Sequence, residues 1–218
     1  MVRIQPLIIG MTVATLSGFA QSSARAPRLP DGGKITVQVD PTSHPQSLIQ
    51  LIRISNLIID GAVTGALPAV NGSPNGRTPT IETDSVVTVN SVLKGTVPKN
   101  SPSILIEQVG GTWNQWQVTV NGDPMVAAGE RYILFLQLDN RPGQASSTGM
   151  PRYCVAGVWS GKAKVTNGEV AFLPRAAAQL HTYDGSDVNT FLQVLSQTIS
   201  HPYTDADTQL PIQPPVKH

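Results

Sequence analysis

The sequence predicts a mainly β protein, a small barrel or sandwich with one or two flanking helices. Three observations carry that expectation. Charged residues make up 13% of the chain, against about 25% in ordinary soluble domains, while Gly (19) and Pro (18) are frequent enough to supply many turns. Apolar residues recur in short runs of about four to eight residues bounded by Gly, Pro, Asn and Asp, the pattern of an all-β fold. One run, Thr80 to Leu93, is longer than the rest, and a long bent strand can serve both halves of a closing sheet. A length of 218 residues suits one ordinary domain, placed at 34–200.

The first 26 residues have the features of a secretory signal peptide. Arg3 supplies a positive start, Leu7 to Ala20 are free of charge, and small residues follow at Gly18-Phe19-Ala20 and Ser22-Ser23-Ala24. The apolar stretch is shorter than the roughly 20 residues of a spanning helix, so no integral span is expected after processing. Cys154 is the sole cysteine, which removes both a lipid-anchored N-terminus and an internal disulfide. Without residues 1–26 the chain keeps 13 basic and 14 acidic residues. No basic stripe remains, so nucleic acid is not an expected partner. The expected location is periplasmic or extracellular.

The elements follow in order. Residues 25–33 read as a Pro- and Arg-rich leader. Lys34 to Val39 alternates as a short strand. Ser43 is the expected cap of a helix carrying Leu48, Leu51, Ile52 and Ser55 on one face, with Pro45 in its first turn and an end near Asn56. Leu57 to Leu67 is a strand and residues 68–79 a loop. Thr80 to Leu93 changes its apolar face midway, which predicts either a bulge near Asn90-Ser91 or burial on both sides. Ser103 to Val109 is a strand, Gly110-Gly111 a turn, and Trp113 to Val120 one further strand with Trp116, Val118 and Val120 on one face. Asn121-Gly122-Asp123-Pro124 is a turn.

Arg131 to Leu138 is almost continuously apolar and is the expected central strand. Leu134, Leu136 and Leu138 share an uncharged face with Tyr132, assigned to a barrel interior. Ile133 and Phe135 are assigned to a second layer against a late helix. Residues 141–151 form a polar loop. Tyr153 to Val158, Lys162 to Val165 and Val170 to Leu173 are short strands, with Asn167-Gly168 a hairpin turn. Ser186 or Asp187 caps a helix whose face is Val188, Phe191, Leu192, Leu195 and Ile199. Residues 201–218 read as a Pro-rich, disordered tail.

The order strand, Val-Leu-Lys-Gly (Val92 to Gly95), strand, Gly-Gly, Gly-Glu-Arg-Tyr (Gly129 to Tyr132), then Tyr-Cys-Val-Ala-Gly (Tyr153 to Gly157) resembles a group of exported bacterial β-barrel domains. These are similar to oligomer-binding (OB-type) barrels and to the netrin-like module of tissue inhibitors of metalloproteinases. The resemblance covers roughly Leu57 to Leu173, with Lys94-Gly95 and Gly129-Glu130 matching best. It implies an OB-like fold and an envelope setting. Netrin-like modules are disulfide-bonded and use an N-terminal cysteine to inhibit proteases; this chain has neither feature, so inhibition does not carry over.

No catalytic, metal or cofactor set is predicted. Ser91-Val92-Leu93-Lys94 spells a serine–lysine pattern, but it lies in a strand, where residues three apart face opposite ways. Gly157-Val158-Trp159-Ser160-Gly161 reads as a turn presenting an exposed tryptophan. Cys154 is expected to be buried and inert. His44, His181, His201 and His218 are dispersed and read as surface residues. Asp184 and Asp187 are assigned to the start of the late helix, and Glu130 and Arg131 to a solvated turn. The most suggestive residues are Trp113, Trp116 and Trp159, with the amides Asn114, Gln115 and Gln117 beside two of them, as ligand-binding candidates; the plainer reading, which is preferred, makes Trp116 core and Trp113 the cap of a loop.

The expected function is that of an exported, non-enzymatic domain that binds a protein or polysaccharide partner. A carbohydrate-binding module using the tryptophans is the first alternative. A hydrolase assembled from Ser160, His181 and Asp184 is the second.

Overall fold

Period-two alternation of apolar side chains builds the walls of a five-stranded barrel. The computed structural model describes residues 32–38, 44–72, 80–98, 101–139 and 148–201. Residues 1–31, where a signal peptide is expected, Ser43, most of the 68–79 and 141–151 loops and the Pro-rich stretch beyond His201 lie outside the described residues. The first half of the chain gives β1 (Gly33–Val37), α1 (Leu48–Ile54), β2 (Leu57–Ala66), β3 (Val70–Asn71), β4 (Ile81–Lys94) and β5 (Ser103–Val109). The second half gives β6 (Gly111–Trp113), β7 (Trp116–Val120), β8 (Arg131–Leu138), β9 (Arg152–Val155), β10 (Lys162–Thr166), β11 (Glu169–Phe172), β12 (Ser186–Asp187) and α2 (Val188–Ser200).

The barrel closes through β2–β4–β5–β9–β8 and back to β2. Numbered by their order in the chain, these strands run first, second, third, fifth, fourth, first around the ring. All contacts are antiparallel except the seam between β5 and β9, which is parallel and pairs Leu105, Ile106 and Glu107 with Arg152, Tyr153 and Cys154. β4 is long enough to bend around the barrel because it carries extra residues. Asp60 pairs with Ser91 and Gly61 with Val89, which leaves Asn90 over; Ile58 pairs with Lys94 and Ile59 with Val92, which leaves Leu93 over.

Two apolar clusters lie on the two sides of the barrel wall. Leu57, Ile59, Val87, Ile106, Leu134 and Leu136 fill the interior. Ile58, Ile133 and Phe135, their neighbours of opposite parity, point outward into a second cluster with Phe172, Phe191 and Leu195. β8 therefore divides its side chains between two layers as expected, up to its last residue. Leu138 is exposed rather than interior, because β2 begins opposite Leu136 and gives Leu138 no paired residue on that side. β8 also changes partner along its length: residues 131–134 pair with β10 and residues 136–138 with β9. The tight Asn167-Gly168 turn between β10 and β11 has both residues in the left-handed region, φ 54° and 83°, as a primed hairpin turn requires.

Local chemistry sets the helix ends. Ser47, not Ser43, caps α1 by accepting from the Gln50 amide at 3.3 Å; Pro45 precedes the cap. At the other end Lys94 donates to the carbonyls of Ile52 and Ser55 at 2.6 and 2.8 Å, satisfying acceptors that a helix leaves open. Gly95 follows at φ 82°, where a Cβ would meet the Asn56 carbonyl oxygen at 2.3 Å. The Lys94-Gly95 pair thus clamps α1 to β4. Asp187 caps α2, accepting from the amides of Asn189 and Thr190. Asp184 has a different task, accepting from the Phe172 amide at 2.8 Å. No helix among the described residues is long and apolar enough to cross a membrane.

Candidate functional site

Trp113 to Val120 is a hairpin, not one strand. Asn114 adopts φ 52°, a left-handed conformation that Asn tolerates better than most residues, and the chain reverses over Asn114-Gln115. Trp113 and Trp116 then face each other across β6 and β7. β1 adds in parallel on the far side of β7, with Gly33 beside Trp116 and Lys34 beside Gln117. A Cβ on Gly33 would lie 3.5 Å from the Trp116 ring, an ordinary contact distance, so the ring lies against this strand.

This three-stranded sheet has two distinct faces. Val118 and Val120 are buried on the one that turns toward the barrel, and both tryptophans stand at its outer end, half-buried. Thr112, Gln117, Thr119, Lys34 and Thr36 form the other face and are exposed, as are Asn114 and Gln115 at the tip. The tryptophan pair is therefore an apolar step at the rim of the sheet, bordered by amide side chains.

Trp159 lies elsewhere. It sits on a 3-10 turn (Val158–Gly161) between β9 and β10 and is 5% exposed, so the turn does not present it to solvent. The guanidinium of Arg175 stacks 4.9 Å above its ring and donates to the Asn121 carbonyl at 2.9 Å. The structure thus brings together Trp113 and Trp116 and buries Trp159 under an arginine.

Beside Trp159, Lys162 is fully buried and paired with Asp123, and it donates to the Pro124 carbonyl at 2.7 Å. Burial pulls its ammonium below the usual lysine range, against the opposing pull of Asp123. Gln108 donates to the same carbonyl at 3.3 Å and accepts from the Val126 amide at 2.9 Å. These bonds hold the segment 123–126 against the barrel, with the Val126 side chain among the interior residues.

The serine, histidine and aspartate of the hydrolase alternative are not assembled. His181 Nδ1 lies 2.8 Å from Asp184 Oδ2. The Ser160 hydroxyl is buried and has no hydrogen-bond partner among the described residues, His181 included. His181 is partly exposed and held by a hydrogen bond to Asp184 rather than being an isolated surface residue.

Charged residues that seemed incidental in the sequence form two organised groups. Arg131 makes a bidentate pair with Asp60, both contacts at 2.8 Å, and Glu130 is bound by Lys164 and the Tyr132 hydroxyl. Burial pushes the Glu130 carboxyl up, but those two partners and the Ala127 amide outweigh it and leave it below the usual range. The turn is therefore tied down by ion pairs while Arg131 and Lys164 stay partly exposed to solvent.

The second group centres on Arg152, on the outer wall of the parallel seam. Its guanidinium lies 2.8 Å from Asp84, 3.3 Å from Asp139, 3.4 Å from Glu107 and 3.6 Å from Glu82. Cys154, half-buried rather than buried, lies 3.7 Å from the same Glu107 carboxylate. Glu107, Asp139 and Cys154 place donor atoms within 4.8 Å of one another, a set of suitable types for a cation. The Arg152 guanidinium already brings positive charge to both of those carboxylates. One signal in the sequence pointed here: Glu82, Asp84 and Glu107 lie inside strands, on faces where a buried acid needs a cation.

No protein-family model matches the chain, and no curated protein matches it.

Proposed function

We propose that the chain is an exported, non-enzymatic OB-type domain that binds a protein or polymer partner through the tryptophan hairpin. The observation that carries the reading is the cross-strand pair Trp113–Trp116, half-exposed at the rim of the small sheet and flanked by the exposed amides of Asn114 and Gln115. Stacking surface beside neutral hydrogen-bonding groups is the composition of a recognition surface.

The ring order of the barrel, with its third and fifth strands parallel, supports an OB-type identity. OB barrels commonly bind along their second and third strands. Here those strands are β4 and β5, and their outer wall is taken up by the Arg152 ion cluster. The hairpin follows β5 directly and packs beside both strands, so it offers the contact surface next to that wall. Export is supported by Arg3 and the uncharged Leu7–Ala20 stretch.

The test is co-sedimentation of purified protein with insoluble envelope material. Wild type should pellet with it. W113A/W116A, checked for an unchanged fold by its thermal transition and circular dichroism, should remain in the supernatant. Equal pelleting of a folded W113A/W116A protein would refute the hairpin as the contact, and failure of wild type to pellet would refute the reading as a whole.

A further inference from the structure

We infer that the partner is an uncharged polysaccharide, read by ring stacking and amide hydrogen bonds; this rests on the binding function proposed for the hairpin and names its ligand. The first argument is charge. From Gly110 to Gly122 the sequence contains no Asp, Glu, Lys or Arg. In the three strands of the sheet Lys34 is the one charged residue, and it pairs with Gln117 on the face opposite the tryptophans. Surfaces that read charged polymers do so with ionic side chains, and their affinity falls steeply with salt. The hairpin has nothing of that kind to offer.

The second argument is geometry. Residues directly opposite each other in an antiparallel pair have Cβ atoms about 4.5–5.5 Å apart, so the Trp113 and Trp116 side chains leave one face from positions about that far apart, with the Trp116 ring lying toward Gly33. A hexose unit advances by a similar length along an extended glycan. Two neighbouring rings can therefore each meet the apolar C–H face of one sugar. Asn114 and Gln115, exposed at the hairpin tip, offer both donors and acceptors to the ring of hydroxyls around a sugar's edge. Most proteins could also donate an apolar contact to the tryptophans, but a glycan additionally uses amides that carry no charge.

The third argument is rigidity. Trp116 packs over Gly33 and the pair is tied into a sheet by β1 and by buried Val118 and Val120. The Trp116 ring has a fixed neighbour before a ligand arrives, which limits the ordering cost of binding.

The test is native affinity electrophoresis through gels containing an uncharged polysaccharide (hydroxyethylcellulose, laminarin, amylopectin or galactomannan) or the anionic carboxymethylcellulose. Wild type should be retarded by at least one uncharged polymer, to the same degree from about 50 to about 500 mM salt. W113A/W116A should lose about tenfold in affinity; W113F/W116F, which keeps aromatic faces and the fold, should retain an intermediate value. W159F should behave as wild type, since that ring is covered by Arg175. Retardation confined to the anionic polymer, or retardation abolished by salt, would overturn the inference. So would the absence of retardation on every uncharged polymer; if wild type still pellets with envelope material, the binding function stands and the uncharged glycan falls. Unchanged retardation of W113A/W116A would also overturn it.

Discussion

Replacing Arg152 with methionine tests what closes the barrel. The guanidinium is 6% exposed and lies within 3.6 Å of carboxylates from β4, β5 and the end of β8. Methionine keeps most of the apolar stem and removes the charge. Taking one partner from a buried ion pair costs about 3–5 kcal/mol, a third or more of the stability of many domains, about 5–15 kcal/mol. At about 2–4 °C per kcal/mol for a chain of this size, the melting temperature should fall by about 6–20 °C. Arg131→Met is the comparison. That guanidinium also makes two 2.8 Å contacts and is itself 39% exposed, but its partner Asp60 is only 6% exposed; its loss strands one buried carboxylate where the loss of Arg152 strands several, and should cost about 1–3 kcal/mol. Urea and thermal unfolding measure both, and hydrogen exchange locates the change. Amides of β9 and β5 should lose protection first in Arg152→Met, because the parallel seam has only three residue pairs in register. An Arg152→Met protein within about 1 kcal/mol of its parent, or no worse than Arg131→Met, would refute the assignment of seam closure to this ion cluster.

Three further outcomes are expected. Leu136 is fully buried inside the barrel, so Leu136→Ala should cost about 2–5 kcal/mol in urea unfolding, and Leu136→Asp should prevent folding, which solubility and circular dichroism would register. Gly95→Ala should destabilise α1 and be read as faster exchange of the 48–55 amides, since Gly95 sits at φ 82° with the Asn56 carbonyl 2.3 Å from where a Cβ would be. At alkaline pH, burial pushes the Tyr183 phenol up to about 12 and raises Tyr153 as well; unfolded phenols ionise near about 10. The unfolded chain therefore gives up protons first, and the stability these groups contribute is fully present below about pH 10 and lost as pH rises through about 12. A urea midpoint that does not fall between about pH 9 and about pH 11 would contradict this, and Phe substitution at Tyr183 should flatten the fall.

The barrel was legible because its signals are local and repeat. The two faces of β8 follow from strict alternation, so the assignment of Leu134 and Leu136 inward and Ile133 and Phe135 outward needed no partner strand to be known. The shift of face in β4 likewise marked the extra residue at Asn90. What the sequence left hidden depends on residues far apart in the chain. Arg152 meets Asp84 across 68 positions, and Arg131 meets Asp60 across 71. Neither pair has a spacing rule, which is why Glu130 and Arg131 looked solvated. The reversal at Asn114-Gln115 was missed because the usual Asn-Gly signal is absent there; without a glycine, the apolar residues Trp113, Trp116 and Val118 read as one continuous strand. Trp159 looked exposed because glycines flank its turn, while the arginine that covers it comes from residue 175.

The divided pairing of β8 has a consequence for how the protein tolerates being cut. Half of this strand belongs to the barrel seam and half to the β10–β11 ladder, and its outward residues Ile133 and Phe135 share one apolar cluster with β11, α1 and α2. A wall shared in this way cannot be assigned to either neighbour. A truncated chain ending before β10 would keep every barrel strand, yet it would bare the backbone edge of residues 131–134 beside a strip of exposed isoleucine and phenylalanine. Such an edge recruits strands from other molecules. The C-terminal third therefore covers the open edge of the barrel, and shortened versions should be recovered as aggregates rather than as smaller barrels.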